Sequence, residues 1–135
     1  MSIFKKLLFT IWQIPQQCVG CFLYIKNKKK IKEKFIYKDC TIYIWNKKYS
    51  ASYGNFIFLK DIYDFKILSH EYGHHMISLF FGPISMITDI ISLFWYILYI
   101  KLNLKNKNIK YTSFFIEKFA NYLGYKYTKI LPIND

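Results

Sequence analysis

Residues Ile67 to Ile100 form a run of 34 residues without a lysine, in a chain that carries twenty of them, and this gap limits the fold more than any other feature. Gly82-Pro83 interrupts the run, so it predicts two apolar helices, over Asp64–Phe81 and Ile84–Lys101, joined by a tight turn. A second gap, Leu7 to Ile25, spans 19 residues, close to the roughly 20 needed to cross a bilayer core. Eleven lysines crowd between Lys26 and Lys66 and four between Lys101 and Lys110. Alternating apolar and basic blocks point to a membrane-associated chain; the alternative is a buried helical hairpin in a soluble core.

At 135 residues the chain is expected to be a single domain with one modest core. The fold class is α+β, mainly α. Residues 1–25 read as an apolar helix that Pro15 kinks, 26–34 as a basic connector, 35–60 as a short β-hairpin, 61–125 as antiparallel helices and 126–135 as a tail. Gln13, Gln17, Gly20 and Tyr24 recur at helical spacing, a small and polar stripe suited to packing against another element. The net charge of +12 comes from lysine without a single arginine. Phosphate and base recognition lean on arginine and no nucleic-acid motif occurs, so nucleic acid is not expected as a partner and anionic lipid is. The fifteen lysines of the two basic blocks outweigh Lys5 and Lys6 opposite, so that side, with any site it carries, is expected toward the cytoplasmic face of a cell inner membrane.

Inside the larger gap stands His70-Glu71-Tyr72-Gly73-His74, an H-E-x-x-H pattern. Residues four apart share a helix face, so His70 and His74 can offer two imidazoles to one Zn2+, with Glu71 beside the open position as general base. Apolar flanks such as Ile67, Leu68, Met76 and Ile77 make three polar side chains costly without such a role; satisfied or exposed polar residues are the bland alternative. A third protein ligand is needed, and Glu117, on a helix expected over Tyr111 to Tyr125 and ending at Gly124, is the best candidate. A rise of 1.5 Å per residue puts the histidines roughly 12 to 18 Å above the Gly82-Pro83 turn and Glu117 roughly 17 Å above it, if the helices run antiparallel.

The pairing of this pentapeptide with a downstream Glu resembles the gluzincin metallopeptidases. That resemblance implies a zinc peptidase with His70, His74 and Glu117 as metal ligands, and Asn121 accepting a histidine ring N–H in the place where the family usually carries Asp. It also implies that a strand edge of the 35–60 hairpin holds the extended substrate by main-chain pairing. Trp12-Gln13-Ile14-Pro15-Gln16, together with the pentapeptide, Ser78 and Gly82-Pro83, is similar to a group of small bacterial membrane proteins with the H-E-Y-G-H signature. The expected substrate is a peptide or membrane-protein segment.

Tyr72, His75, Tyr111 and Tyr122 are candidate transition-state donors, with no ranking among them. His75 points about 100° from His74 on a helix and is expected to support the site or face the surface rather than bind metal. Asp89 is a lone carboxylate in an apolar helix, a functional candidate that the antiparallel arrangement puts nearer the turn than the histidines. Cys18, Cys21 and Cys40 read as reduced packing residues, Cys18-x-x-Cys21 lacking a second pair for a structural zinc site. Two other readings remain. One is an enzyme like the site-2 proteases, with Gly82 eight residues after His74, but without that family's later Leu-Asp-Gly context. The other is a non-enzymatic basic membrane protein, serving as an immunity, adaptor or lipid-binding factor, with a remnant motif.

Overall fold

The computed structural model describes residues 2–61 and 64–132. Residues 133–135 of the expected tail, and 62–63 at the start of the expected catalytic segment, lie outside the described residues. The fold is α+β and mainly α: helices α1 (Ile3–Trp12) and α2 (Ile14–Asn27), strands β1 (Ile31–Tyr37), β2 (Cys40–Trp45), β3 (Ala51–Tyr53) and β4 (Phe56–Lys60), then α3 (Phe65–Phe81), α4 (Ser85–Lys101) and α5 (Phe115–Thr128).

Where a hairpin is expected, the chain forms a four-stranded sheet of order β1-β2-β4-β3. Two turns were hidden inside segments that read as single strands. Lys38, at φ 54°, reverses the chain between β1 and β2, and Gly54, at φ 60°, reverses it between β3 and β4. The parallel central pair β2 and β4 is buried on both faces, which is why Thr41-Ile42-Tyr43-Ile44-Trp45 and Phe56-Ile57-Phe58-Leu59 are nearly continuous apolar runs. Ile42, Ile44, Ile57 and Leu59 face α3 and α5, where they meet Leu68, Tyr72, Met76, Ala120 and Leu123. Tyr43, Trp45 and Phe58 face the other way, against Leu23 and Tyr24 of α2.

The sheet is therefore a middle layer, and this changes the reading of the N-terminus. Leu7 to Ile25 is not one spanning helix: it breaks at Gln13, with Pro15 in the first turn of α2, where its missing N–H costs nothing. The expected polar stripe packs inward. Ser78 Oγ donates to Gln13 Oε1 at 2.6 Å, the Asn55 amide to Gln17 Oε1 at 3.2 Å, and Gln16 Nε2 donates to the Gly82 carbonyl at 2.5 Å. Trp12 Nε1 adds a bond to the Leu79 carbonyl at 3.1 Å, so the Trp12–Gln16 segment clamps the end of α3. The basic connector is shorter than expected, a 3-10 turn over Lys28–Lys30 before β1 begins.

Asp64 caps α3, its Oδ1 accepting from the Ile67 amide at 3.0 Å. At Gly82–Ile84 the chain turns back. A straight continuation would carry Asp89 about 22 Å from His74, whereas both line one cavity, and Trp95 stacks on Phe114 at 4.9 Å. By length and composition alone Phe65–Lys101, at a mean hydropathy of 1.8, can cross a membrane. Its two halves differ in surroundings: α3 is buried around most of its circumference, while α4 exposes Ile87, Ile90, Leu93, Phe94 and Leu98.

Candidate metal centre

Glycines set the distance between the two helices that carry the motif residues. A side chain at Gly73 would collide with the backbone oxygen of Ala120, and one at Gly124 with the backbone oxygen of Ser69. Gly124 thus does not end α5, as its sequence position suggests; it lets α5 cross α3 closely, and the helix runs on to Thr128, with Lys129 in the left-handed region as its C-cap. The fourth position of His70-Glu71-Tyr72-Gly73-His74 is, in this chain, a backbone contact point.

That close crossing brings three side chains to one point. His70 Nε2 and His74 Nε2 each lie 2.9 Å from the same oxygen, Oε2 of Glu117. Tyr111 Oη donates to the other oxygen at 3.2 Å, and His70 Nδ1–H donates to Asn121 Oδ1 at 2.6 Å. The Asn121 bond decides the tautomer: with hydrogen on Nδ1, a neutral His70 aims a lone pair at a carboxylate oxygen. Lone pair against anion is repulsive unless a proton or a metal cation lies between them. Glu117 is 1 % exposed, and an unpaired carboxylate there would carry a heavy desolvation cost. Burial alone would raise its carboxyl, but the two imidazoles outweigh burial and hold it well below the usual carboxylate range.

The ligand atoms of His70, His74 and Glu117 lie within 4.8 Å of one another, a group geometrically able to hold a metal ion. A tetrahedral ion with bonds of about 2.0 to 2.2 Å keeps its ligands roughly 3.3 Å apart, so the 2.9 Å contacts need open by only a few tenths of an ångström. Glu71 is buried beside them, and a cavity of about 700 Å³ adjoins the cluster, walled by β3, α3 and α4.

Of the candidate transition-state donors, Tyr111 lines this cavity. Burial first, then the charges of Glu117 and Glu71, raise its phenol far beyond the ordinary range, so it stays a donor. The other three lie elsewhere. Tyr72 Oη donates to Asp39 Oδ1 at 2.8 Å, His75 binds the Gly54 carbonyl and Asp39, and Tyr122 is exposed and stacked on Phe119. Sequence reasoning missed Tyr53 on β3, whose phenol is pushed up to about 12 by burial and then by the charges of Asp89 and Glu71. Its signal was its place just before the Gly54-Asn55 turn, at the end of a strand. Asp89 was singled out and set apart from the site, yet it lines the same cavity; the spacing Asp89, Ser92, Tyr96 on one face of an otherwise apolar helix is the pattern that marks it. Cys40 is buried in the core, while Cys18 and Cys21 are exposed on α2; all three are free.

No protein-family model, no curated protein and no solved structure matches this chain.

Proposed function

We propose that the protein is a small membrane-associated zinc metallopeptidase of gluzincin type, with His70, His74 and Glu117 holding Zn2+ and Glu71 as general base. The observation that carries this reading is the convergence of two imidazole nitrogens from α3 on one carboxylate oxygen from α5. Two nitrogens and one carboxylate oxygen are a donor set that zinc favours, and an ion at that point would resolve the opposition of lone pair and anion at His70. Bound zinc would supply Lewis-acid polarisation of a water and of the scissile carbonyl.

The chain's own residues carry the rest. Asn121 fixes the His70 tautomer so that Nε2 is free to bind metal, and Tyr111 fixes the carboxylate of Glu117. Glu71, buried at the cavity wall, is placed to take a proton from water and to return it to a leaving amine. β3 is an edge strand that lines the cavity, which supports main-chain pairing with an extended peptide. The alternative built on site-2 proteases requires another carboxylate as ligand; the position of Glu117 favours the gluzincin reading.

The membrane part of the proposal rests on apolar exposure. α1 has no buried residue and shows Ile3, Phe4, Leu7 and Ile11 to the surroundings, and α4 shows a comparable face. Anionic lipid suits the lysine blocks, and the positive-inside tendency supports an inner-membrane protein with its site toward the cytoplasm. Metal analysis of the purified chain tests the reading. Wild type should carry one zinc and cleave peptides; Glu71→Gln should keep its zinc and lose about 10²- to 10⁴-fold in cleavage rate; Glu117→Gln should lose the metal. Wild-type protein without stoichiometric zinc overturns the proposal.

A further inference from the structure

Three polar atoms around the cavity are screened from solvent and have no hydrogen-bond partner among the described residues: Ser52 Oγ on β3, and Asp89 Oδ2 and Ser92 Oγ on α4. Folded proteins leave few such atoms, and a cluster of them on the walls of one cavity marks where a ligand is missing its counterpart. All three residues line the cavity that Glu71 and His74 also line. Asp89 and Ser92 are one turn apart on the same face of α4, and Ser52 comes from the edge strand.

The chemistry of the trio is specific. A carboxylate oxygen only accepts, so whatever satisfies Asp89 must be a donor. A primary ammonium has three N–H donors and no acceptor, which matches one carboxylate and two hydroxyls. Lys48, Lys60 and Lys105 also line the cavity, and the whole chain is strongly positive. Long-range charge therefore repels a cation, and a preference for one requires close contact with a carboxylate; of those lining the cavity, Asp89 has a screened oxygen without a hydrogen-bond partner among the described residues.

We propose that Asp89, Ser92 and Ser52 form a recognition subsite for an alkylammonium group of the substrate, the α-amine of a peptide or the side chain of a lysine. The inference rests on the peptidase reading for the nature of the substrate. Asp89 is a specificity residue in it, and no part of the hydrolytic step depends on it.

The test is equilibrium binding to full-length Glu71→Gln protein in detergent, where turnover does not interfere. The probes are C-terminally amidated tetra-alanine with a free N-terminus, the same peptide N-acetylated, and an N-acetylated peptide with one alanine replaced by lysine. At least one ammonium-bearing probe should bind about tenfold tighter than the neutral one, the gain of a charge-assisted hydrogen bond; which of the two does so identifies the source of the ammonium. Adding Asp89→Asn should erase the preference and leave the neutral probe unchanged, Asp89→Glu should restore part of it, and Ser92→Ala should weaken it about twofold to threefold. Equal binding of all three probes, no binding of any, or a preference that survives Asp89→Asn overturns the inference. Zinc content and wild-type cleavage are read separately. Stoichiometric zinc and cleavage without an ammonium preference sinks the subsite alone, and the preference without zinc or cleavage sinks the peptidase reading alone.

Discussion

His74 and His75 are neighbours in the chain, and each ends beside a carboxylate, yet the two clusters they build are of opposite kinds. His74 joins His70 at one oxygen of Glu117, next to an open cavity. His75, fully buried on another side of α3, places one ring nitrogen 2.7 Å from the Gly54 carbonyl and the other 2.8 Å from Asp39 Oδ2, while Tyr72 Oη fills Asp39 Oδ1. Asp39, Cys40 and His75 also lie close enough together to suggest a metal site. The difference lies in how many rings meet the carboxylate and in what lies beside it. In the Asp39 cluster a single imidazole meets one carboxylate oxygen while the Tyr72 hydroxyl fills the other, and the group ties α3 to the turns after β1 and β3. In the Glu117 cluster two imidazoles converge on one carboxylate oxygen beside an open cavity. Similar residues thus make a brace on one side of a helix and a candidate ion site on the other.

Truncating one member of each cluster should separate the two roles most sharply. Glu117→Ala should remove stoichiometric zinc. His75→Ala should instead lower the unfolding free energy by about 3 to 5 kcal/mol, the cost of leaving Asp39 half-buried without its partner, with zinc retained by the protein that remains folded. Denaturant titration and metal analysis on the same samples check both. Loss of zinc from His75→Ala to the same extent as from Glu117→Ala would break the distinction.

How much of this was legible in the sequence follows from the range of the interactions. The H-E-x-x-H spacing fixes His70 and His74 through helix geometry alone, and the helix lengths put Glu117 at their level because each rise per residue is fixed. Asn121, one turn from Glu117, follows by the same rule. The sheet was less legible. Lys38 and Asp39 carry no glycine to announce a turn, so β1 and β2 read as one strand, and Asp39, the anchor of the second cluster, went unnoticed. Tyr72 and His75 looked like site residues because they sit inside or beside the motif, but sequence adjacency on a helix means a 100° change of direction. Gly124 read as a helix stop because local signals cannot distinguish a cap from a close crossing; the Ser69 backbone that requires it lies far away in sequence.

Asn121 sharpens the comparison at the next level of effect, since its bond holds the His70 ring with Nε2 toward Glu117. Asn121→Ala should weaken zinc about 10- to 100-fold, the usual loss when a histidine's supporting acceptor is removed. Asn121→Asp, which supplies a charged acceptor, should tighten it. Competition with a calibrated chelator reads both. An unchanged affinity in Asn121→Ala would mean that packing alone orients the ring.

Acid should distinguish the clusters by a smaller effect. Burial alone would raise the Asp39 carboxyl, but the hydrogen bond and charge of His75, with the Tyr72 hydroxyl, outweigh it and bring it down to about 2. A carboxyl whose folded value lies below its unfolded value of about 3.9 stabilises the fold above that value and loses the contribution as pH falls toward 2. The Asp39 cluster should therefore hold its full contribution at pH 5 and lose on the order of 2 kcal/mol by pH 2. Asp39→Asn should flatten that part of the stability profile, the difference between the two chains being large at pH 5 and small at pH 2. Because metal binding at the proposed site asks for no proton on the two Nε2 atoms, while the Asp39 carboxyl takes up its proton only near pH 2, acid should release zinc before it weakens the brace. Zinc retained down to the pH at which the Asp39-dependent stability disappears would contradict that order.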